Sequence, residues 1–111
     1  GRGVKNSSQA ARWFLAAAKD GFVPAQIRIG EMYTTGTGIP QDFVHAYMWF
    51  NIVGGASIMS ALPDVTKEVA RKRNEVATLM TPADISKAQR LAREWLEAKP
   101  FYREWPEKHG E

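Results

Sequence analysis

Two histidines, His45 and His109, are the only side chains suited to acid–base work near neutral pH, and they stand far apart in the chain. No His-x-x-x-His pair occurs, and with no cysteine in the sequence a zinc-type site has no ligand set at a workable spacing. The missing cysteines also remove disulfides and thiol nucleophiles, without fixing a compartment. Ser57 and Ser60 lie in the bend Gly54-Gly55-Ala56-Ser57-Ile58-Met59-Ser60, which has no nucleophile elbow. Gly36-Thr37-Gly38 has neither the preceding strand nor the following lysine and threonine of a phosphate loop. No catalytic, metal or cofactor-binding residue is therefore assigned, and the chain reads as a non-enzyme that carries no cofactor. His45 reads as a surface or groove histidine with its hydrogen bonds satisfied.

Binding chemistry remains. Lys67, Arg71, Lys72, Arg73, Lys87, Arg90 and Arg93 fall on two neighbouring helical segments and form the case for a nucleic-acid-binding module. Glu68, Glu75, Asp84, Glu94 and Glu97 are interleaved with them, which is the pattern of solvated faces laced with i,i+4 pairs. A formal charge of +3 is a modest surplus. The nucleic-acid reading is therefore the alternative rather than the first choice. Its sign would be a steep salt dependence.

The elements that position these residues are helical. A length of 111 residues, 44% of them apolar and 24% charged, suits one small globular domain. No run of 18 apolar residues is present. Ala10, Trp13, Phe14 and Ala17 give a buried stripe to a first helix at 7–19, ended by Asp20-Gly21. Ala25, Ile29, Met32 and Tyr33 do the same for a second helix at 24–34. Gly30, inside that helix, costs about 1 kcal/mol against alanine, so close approach of a neighbouring helix is expected there. Gly36 and Gly38 supply permissive backbone, and Asp42 caps a third helix at 43–53, with Ala46, Trp49, Phe50 and Val53 as its stripe. Residues 54–63 break the rhythm. Asp64 is the expected cap of a fourth helix at 65–80, striped by Val69, Val76 and Met80. Thr81-Pro82-Ala83-Asp84 opens a fifth, carrying Ile85, Ala88, Leu91, Ala92, Trp95 and Leu96 up to Pro100. No strand is expected.

The chain also repeats itself. Gly1-Arg2-Gly3-Val4 matches Gly36-Thr37-Gly38-Ile39 at an offset of 35, and Asn6, Ala10, Trp13 and Phe14 match Asp42, Ala46, Trp49 and Phe50 at 36. Such a period marks stacked helical hairpins. With Ala17, Ala18, Gly21, Ala25, Gln26, Gly30, Met32 and Tyr33, these residues resemble the Sel-one-like repeats (SLR), relatives of the tetratricopeptide repeats. The likeness covers 1–53 well. Residues 80–95 are similar to the terminal capping region of bacterial members. The resemblance implies a right-handed α/α superhelix and a role in protein–protein interaction. Cysteine-rich relatives are associated with β-lactam binding, a branch this cysteine-free chain does not fit. The matching residues are structural ones, so no functional residue carries over.

The expected architecture is an all-α solenoid of about five helices: a first repeat at 1–35, a second, irregular one at 36–80, and a capping helix with tail at 81–111. Trp13 and Trp49 are expected to pack inside it, as is Trp95. In such arrays the first helices of successive hairpins line a concave groove. On that ground Val44, Tyr47, Met48 and Asn51 of the third helix, with Arg12 and Leu15 of the first, are the candidate partner-binding residues for a peptide or protein segment. Because Gly1–Asn6 looks like an internal loop, an apolar N-terminal face that tends to self-associate is also expected. Phe101, Tyr102 and Trp105 are expected to fold back onto the fourth and fifth helices, since a disordered tail is normally poor in aromatics. Deleting residues 100–111 should then lower the melting temperature. Unchanged stability with lost partner binding would make the tail a docking peptide instead.

Overall fold

The computed structural model describes residues 2–99. These form α1 (Arg2–Lys19), α2 (Val23–Thr35), α3 (Phe43–Gly54), a short 3-10 helix (Ser57–Ala61), α4 (Pro63–Ala77) and α5 (Pro82–Ala98), with no strand among them. The five expected helices are therefore present, in order. The tail aromatics Phe101, Tyr102 and Trp105, and His109, lie outside the described residues.

α3 is the middle of the molecule. It packs on α2, α4 and α5, while α1 packs on α2. Its sequence, Phe43-Val44-His45-Ala46-Tyr47-Met48-Trp49-Phe50-Asn51-Ile52-Val53, is apolar nearly all the way round, which is the mark of a helix buried on every side. Ala46 to Phe50, Ile52 and Val53 are all buried. The core continues into Ala11 and Ala18 of α1, Ala25, Ile29 and Met32 of α2, Val69 and Val76 of α4, and Ala88 and Ala92 of α5.

Each joint has its own chemistry. At the end of α1, Gly21 adopts φ +94°, the Phe22 N–H reaches the Ala17 carbonyl at 3.1 Å, and the buried Gln26 side chain donates to the Ala18 carbonyl at 3.0 Å. Terminal carbonyls that would otherwise be left unpaired are thus satisfied. At the end of α2, Gly36 stands at φ +76° and its N–H returns to Met32. Gly38, at φ +73°, lies so close to the Ser7 carbonyl that a side chain there would meet backbone. Asp42 caps α3 by accepting the His45 N–H, and Thr81 caps α5 by accepting the Asp84 N–H, both as expected from the sequence.

Four expectations need correction. α1 begins at Arg2, so residues 2–6 are helical and not a copy of the Gly36–Asp42 loop. That loop holds Pro40, which has no N–H to give a helix, whereas the first stretch has Lys5 and no proline. α4 starts with Pro63 at its first position, which puts Asp64 inside the first turn instead of at the cap. It also ends at Ala77, where Thr78 turns its hydroxyl onto the Glu75 carbonyl at 2.6 Å. Finally, the equivalence of Trp13 and Trp49 does not extend to their surroundings. Trp49 is 2% exposed and meets Trp95 edge-on at 5.8 Å, whereas Trp13 is 76% exposed. α1 turns Ala11 and Ala18 inward, so Trp13 stands on the far flank of the helix. The indole N–H of Trp49 has no hydrogen-bond acceptor among the described residues.

The break at 54–63 is held in place. The 3-10 helix seats Met59 in the core, and the Thr66 hydroxyl donates to the Met59 carbonyl at 2.8 Å. Gly30 shows why glycine stands inside α2. A Cβ there would lie 2.6 Å from Cε1 of Phe50, a ring that is itself fully enclosed. Gly30→Ala is therefore expected to cost about 1–3 kcal/mol through overpacking, despite alanine's better helix propensity. Combining it with Phe50→Leu should recover part of that loss. Chemical denaturation of the two single variants and the double variant checks the coupling. Strict additivity would show that the two residues do not share one space.

Candidate functional site

The candidate partner-binding residues lie on α1 and α3. Arg12 is exposed on α1, and Leu15 is half-buried against the core. On α3, Val44 and Asn51 are half-buried, while Tyr47 and Met48 are 8% exposed. An open groove floor is therefore not what α3 provides, because α5 covers it: the Gln89 amide donates to the Tyr47 hydroxyl at 3.4 Å. Even so, the four residues share one line at helical spacing. Tyr47 and Met48 are the most exposed of the buried α3 residues, and Val44 and Asn51 continue the line to either side. It is the seam along which α3 comes nearest to solvent.

Two residues that sequence reasoning did not single out shape this seam. Gln89 closes on Tyr47 from α5. Lys99, just past α5, donates its ammonium to the Lys19 carbonyl at 3.2 Å and lies 5.9 Å from the Trp95 ring centre. Neither contact is local in sequence, and no motif announces either one. Chemically the seam offers an amide that can both donate and accept (Asn51), apolar surface (Val44, Leu15) and a guanidinium nearby in sequence (Arg12).

A second polar cluster sits at the joint between α2 and α3. Asp42 Oδ2 lies 2.7 Å from His45 Nδ1, and the His45 ring stacks on Tyr33 with centroids 5.3 Å apart. Burial alone would push the Asp42 carboxyl up. The backbone N–H and ring of His45, helped by the Val44 N–H, outweigh it and hold the carboxyl below the ordinary value. Burial, with the Asp42 charge beside it, pushes the Tyr33 phenol up. The pair resembles half of a hydrolytic relay, but no serine or threonine hydroxyl is hydrogen-bonded to His45 among the described residues. Its present work is to fix the loop that joins two hairpins. No group of three or more His, Cys, Asp or Glu side chains gathers among the described residues to hold a metal ion.

The basic residues of α4 and α5 are largely engaged. Arg71 bonds both Glu68 and Glu75, Lys72 pairs with Glu31 across to α2, and Arg93 lies 4.0 Å from Glu97. The Arg71 guanidinium holds the exposed Glu68 carboxyl low, and in turn the two glutamates push Arg71 up. This is the mixed, internally paired surface that the interleaved sequence implied. No helix of the described residues is long and apolar enough to cross a membrane.

Helical hairpins stacked around one enclosed helix, with glycine-mediated joints and a single solvent seam, define an α/α repeat scaffold. The chain belongs to the Sel1 repeat family, whose model matches residues 1–22, 23–52 and 79–98. Among solved structures it is similar to a protective antigen present in uropathogenic Escherichia coli strains, described as displaying an SLR fold. The two share 26% identity with a TM-score of 0.74, over 93% of this chain. That stretch amounts to 21% of the antigen's own chain. No curated protein sequence matches. Sel1 repeats are in general protein–protein interaction modules, and the family is a scaffold rather than an enzyme family.

Asp42 supplies a test of the joint. Asp42→Ala is expected to cost about 1 kcal/mol through loss of the cap, a fall of about 4–6 °C in melting temperature. Asp42→Asn keeps a capping oxygen and loses only the charge. Because the folded carboxyl titrates below its unfolded value, its charge contributes stability at pH above about 4 and loses it as pH falls through the lowered value. The gap between wild type and Asp42→Asn should accordingly close in acid. A gap that persists unchanged to pH 2 would show that the charge is not the source.

Proposed function

We propose that this chain is a protein–protein interaction module, with repeats at 1–35 and 36–80 and a terminal cap at 81–111. Its ligand is an extended peptide or protein segment laid along the α3 seam. The observation that carries the reading is the shared line of Val44, Tyr47, Met48 and Asn51, the one stripe of an otherwise enclosed helix that rises toward solvent. Asn51 bonds the ligand backbone, Val44 and Leu15 give apolar contact, Arg12 supplies a rim charge, and Tyr47 and Met48 form the floor. A flat amide beside apolar surface suits a segment recognised partly through its main chain.

The exposed outer flank of the first hairpin adds a second partner surface. Trp13 is 76% exposed and Phe22 is 59% exposed, and Phe22 folds back by its backbone onto Ala17, one turn from Trp13. Large aromatics left in water favour association, which supports self-association through this flank.

The test is selection of binders from a displayed random-peptide library on the immobilised chain. Asn51→Ala and Arg12→Ala are each expected to weaken the selected peptides by about tenfold with little change in melting temperature. Tyr47→Ala should lower both affinity and stability, because its ring is packed. Raising salt from 50 to 200 mM should change affinity only a few-fold, whereas a phosphate-binding surface would lose on the order of a thousandfold. Binders indifferent to both Asn51→Ala and Arg12→Ala would overturn the groove. A thousandfold salt effect on oligonucleotide binding would favour the nucleic-acid reading.

A further inference from the structure

The seam is shut at one end by a contact between the two extremities of the described chain. The last described residue, Lys99, reaches back across 80 positions to the carbonyl of Lys19, the final residue of α1. The carbonyls at a helix C-terminus carry the negative end of its dipole, and an ammonium is well matched to them. The same ammonium lies near the face of Trp95, whose ring in turn abuts Trp49 on α3. One cation therefore ties the end of α1 to the end of α5, and the tie passes on through Trp95 to α3. The Gln89–Tyr47 hydrogen bond is a second, longer stitch between α5 and the seam.

We infer that Lys99 is a clasp: it holds α1 and α5 together over the Asn51 end of α3 and keeps the partner-binding seam closed until a ligand, or loss of the contact, releases it. The inference rests on the seam being the partner-binding line. Its physical basis is the mismatch between the parts. Tyr47 and Met48 are 8% exposed, too little for a segment to be seated on them, yet what covers them at this end includes a surface ammonium on a flexible stem. Lysine side chains at the surface hold a carbonyl or a ring weakly, so the contact opens often. Nothing else around the described core is so easily undone. Trp49, Phe50, Ile52 and Val53 are enclosed by packed apolar side chains, and Gly30 locks Phe50 against α2.

Because the sequence has no cysteine, a single introduced thiol reports on opening without background. Met48→Cys, in the full chain, is labelled with a small aromatic disulfide, and its rate is compared with and without Lys99→Ala. Lys99→Ala is expected to raise the labelling rate about fivefold, with helical content unchanged by circular dichroism. Lys99→Arg, which keeps a cation for the carbonyl and the ring, should label at the wild-type rate. If Met48→Cys fails to fold, Asn51→Cys reports on the same seam from a half-buried position. An unchanged rate in Lys99→Ala, or an equal rise in Lys99→Arg, overturns the clasp. The peptide selection separates this from the binding reading. Faster labelling in Lys99→Ala with no gain in affinity for selected peptides would keep the clasp and discard the seam as the ligand site. Tighter peptide binding in Lys99→Ala supports both.

Discussion

The fold depends on one constraint: a helix that is apolar on nearly every side must be surrounded. α3 cannot be a surface element, because Trp49, Phe50, Ile52 and Val53 point in different directions and each needs cover. α2 supplies it on one side only because Gly30 removes a side chain where the Phe50 ring must lie. α4 and α5 supply it on the others, and the delayed, 3-10-containing turn at 57–61 brings α4 back into place with Met59 as its anchor. The loops then follow from the packing. Gly38 comes against the Ser7 backbone, and Asp42 both caps α3 and grips His45.

Much of this is legible in the amino-acid sequence. Asp42 and Thr81 are readable as caps because capping is a local event, decided by a side chain and an N–H three residues away. Gly30 is readable because glycine inside an apolar helical stripe makes sense only where something comes close. The burial of Tyr47 and Met48 is also implicit in the residues. The periodicity argument assigns α3 one buried face and one open one, but its composition leaves no polar face to be open. Asn51 is the single polar residue of the helix after His45 apart from the Tyr47 hydroxyl. By contrast, the exposure of Trp13 is not in the sequence. It occupies the same repeat position as Trp49, and the difference lies in the helices around it, α5 being set against Trp49. Gln89 and Lys99 are invisible to a local reading for the same reason: their partners are 42 and 80 residues away.

The charged surface follows the same logic. Seven basic residues on two helices look like a patch when counted, but acids set three and four positions away engage Arg71 and Arg93 within their own helices. The Lys72–Glu31 pair is different in kind, since it joins α4 to α2 across the hairpins at a partly buried site. Partial burial reduces screening by salt, so this pair contributes to the relative placement of the two repeats where the exposed pairs do not.

The unpaired indole N–H of Trp49 has a spectroscopic meaning. Trp49 is a chromophore in a dry, apolar enclosure with no acceptor for its N–H among the described residues, while Trp13 sits in water on the far side of the same fold. Their light is sorted by colour: the first emits toward the blue, the second toward the red. Loosening of the core shifts the blue edge alone, and any body that settles on α1 shifts the red edge alone. The protein thus carries two native lamps, one for its interior and one for its outer flank.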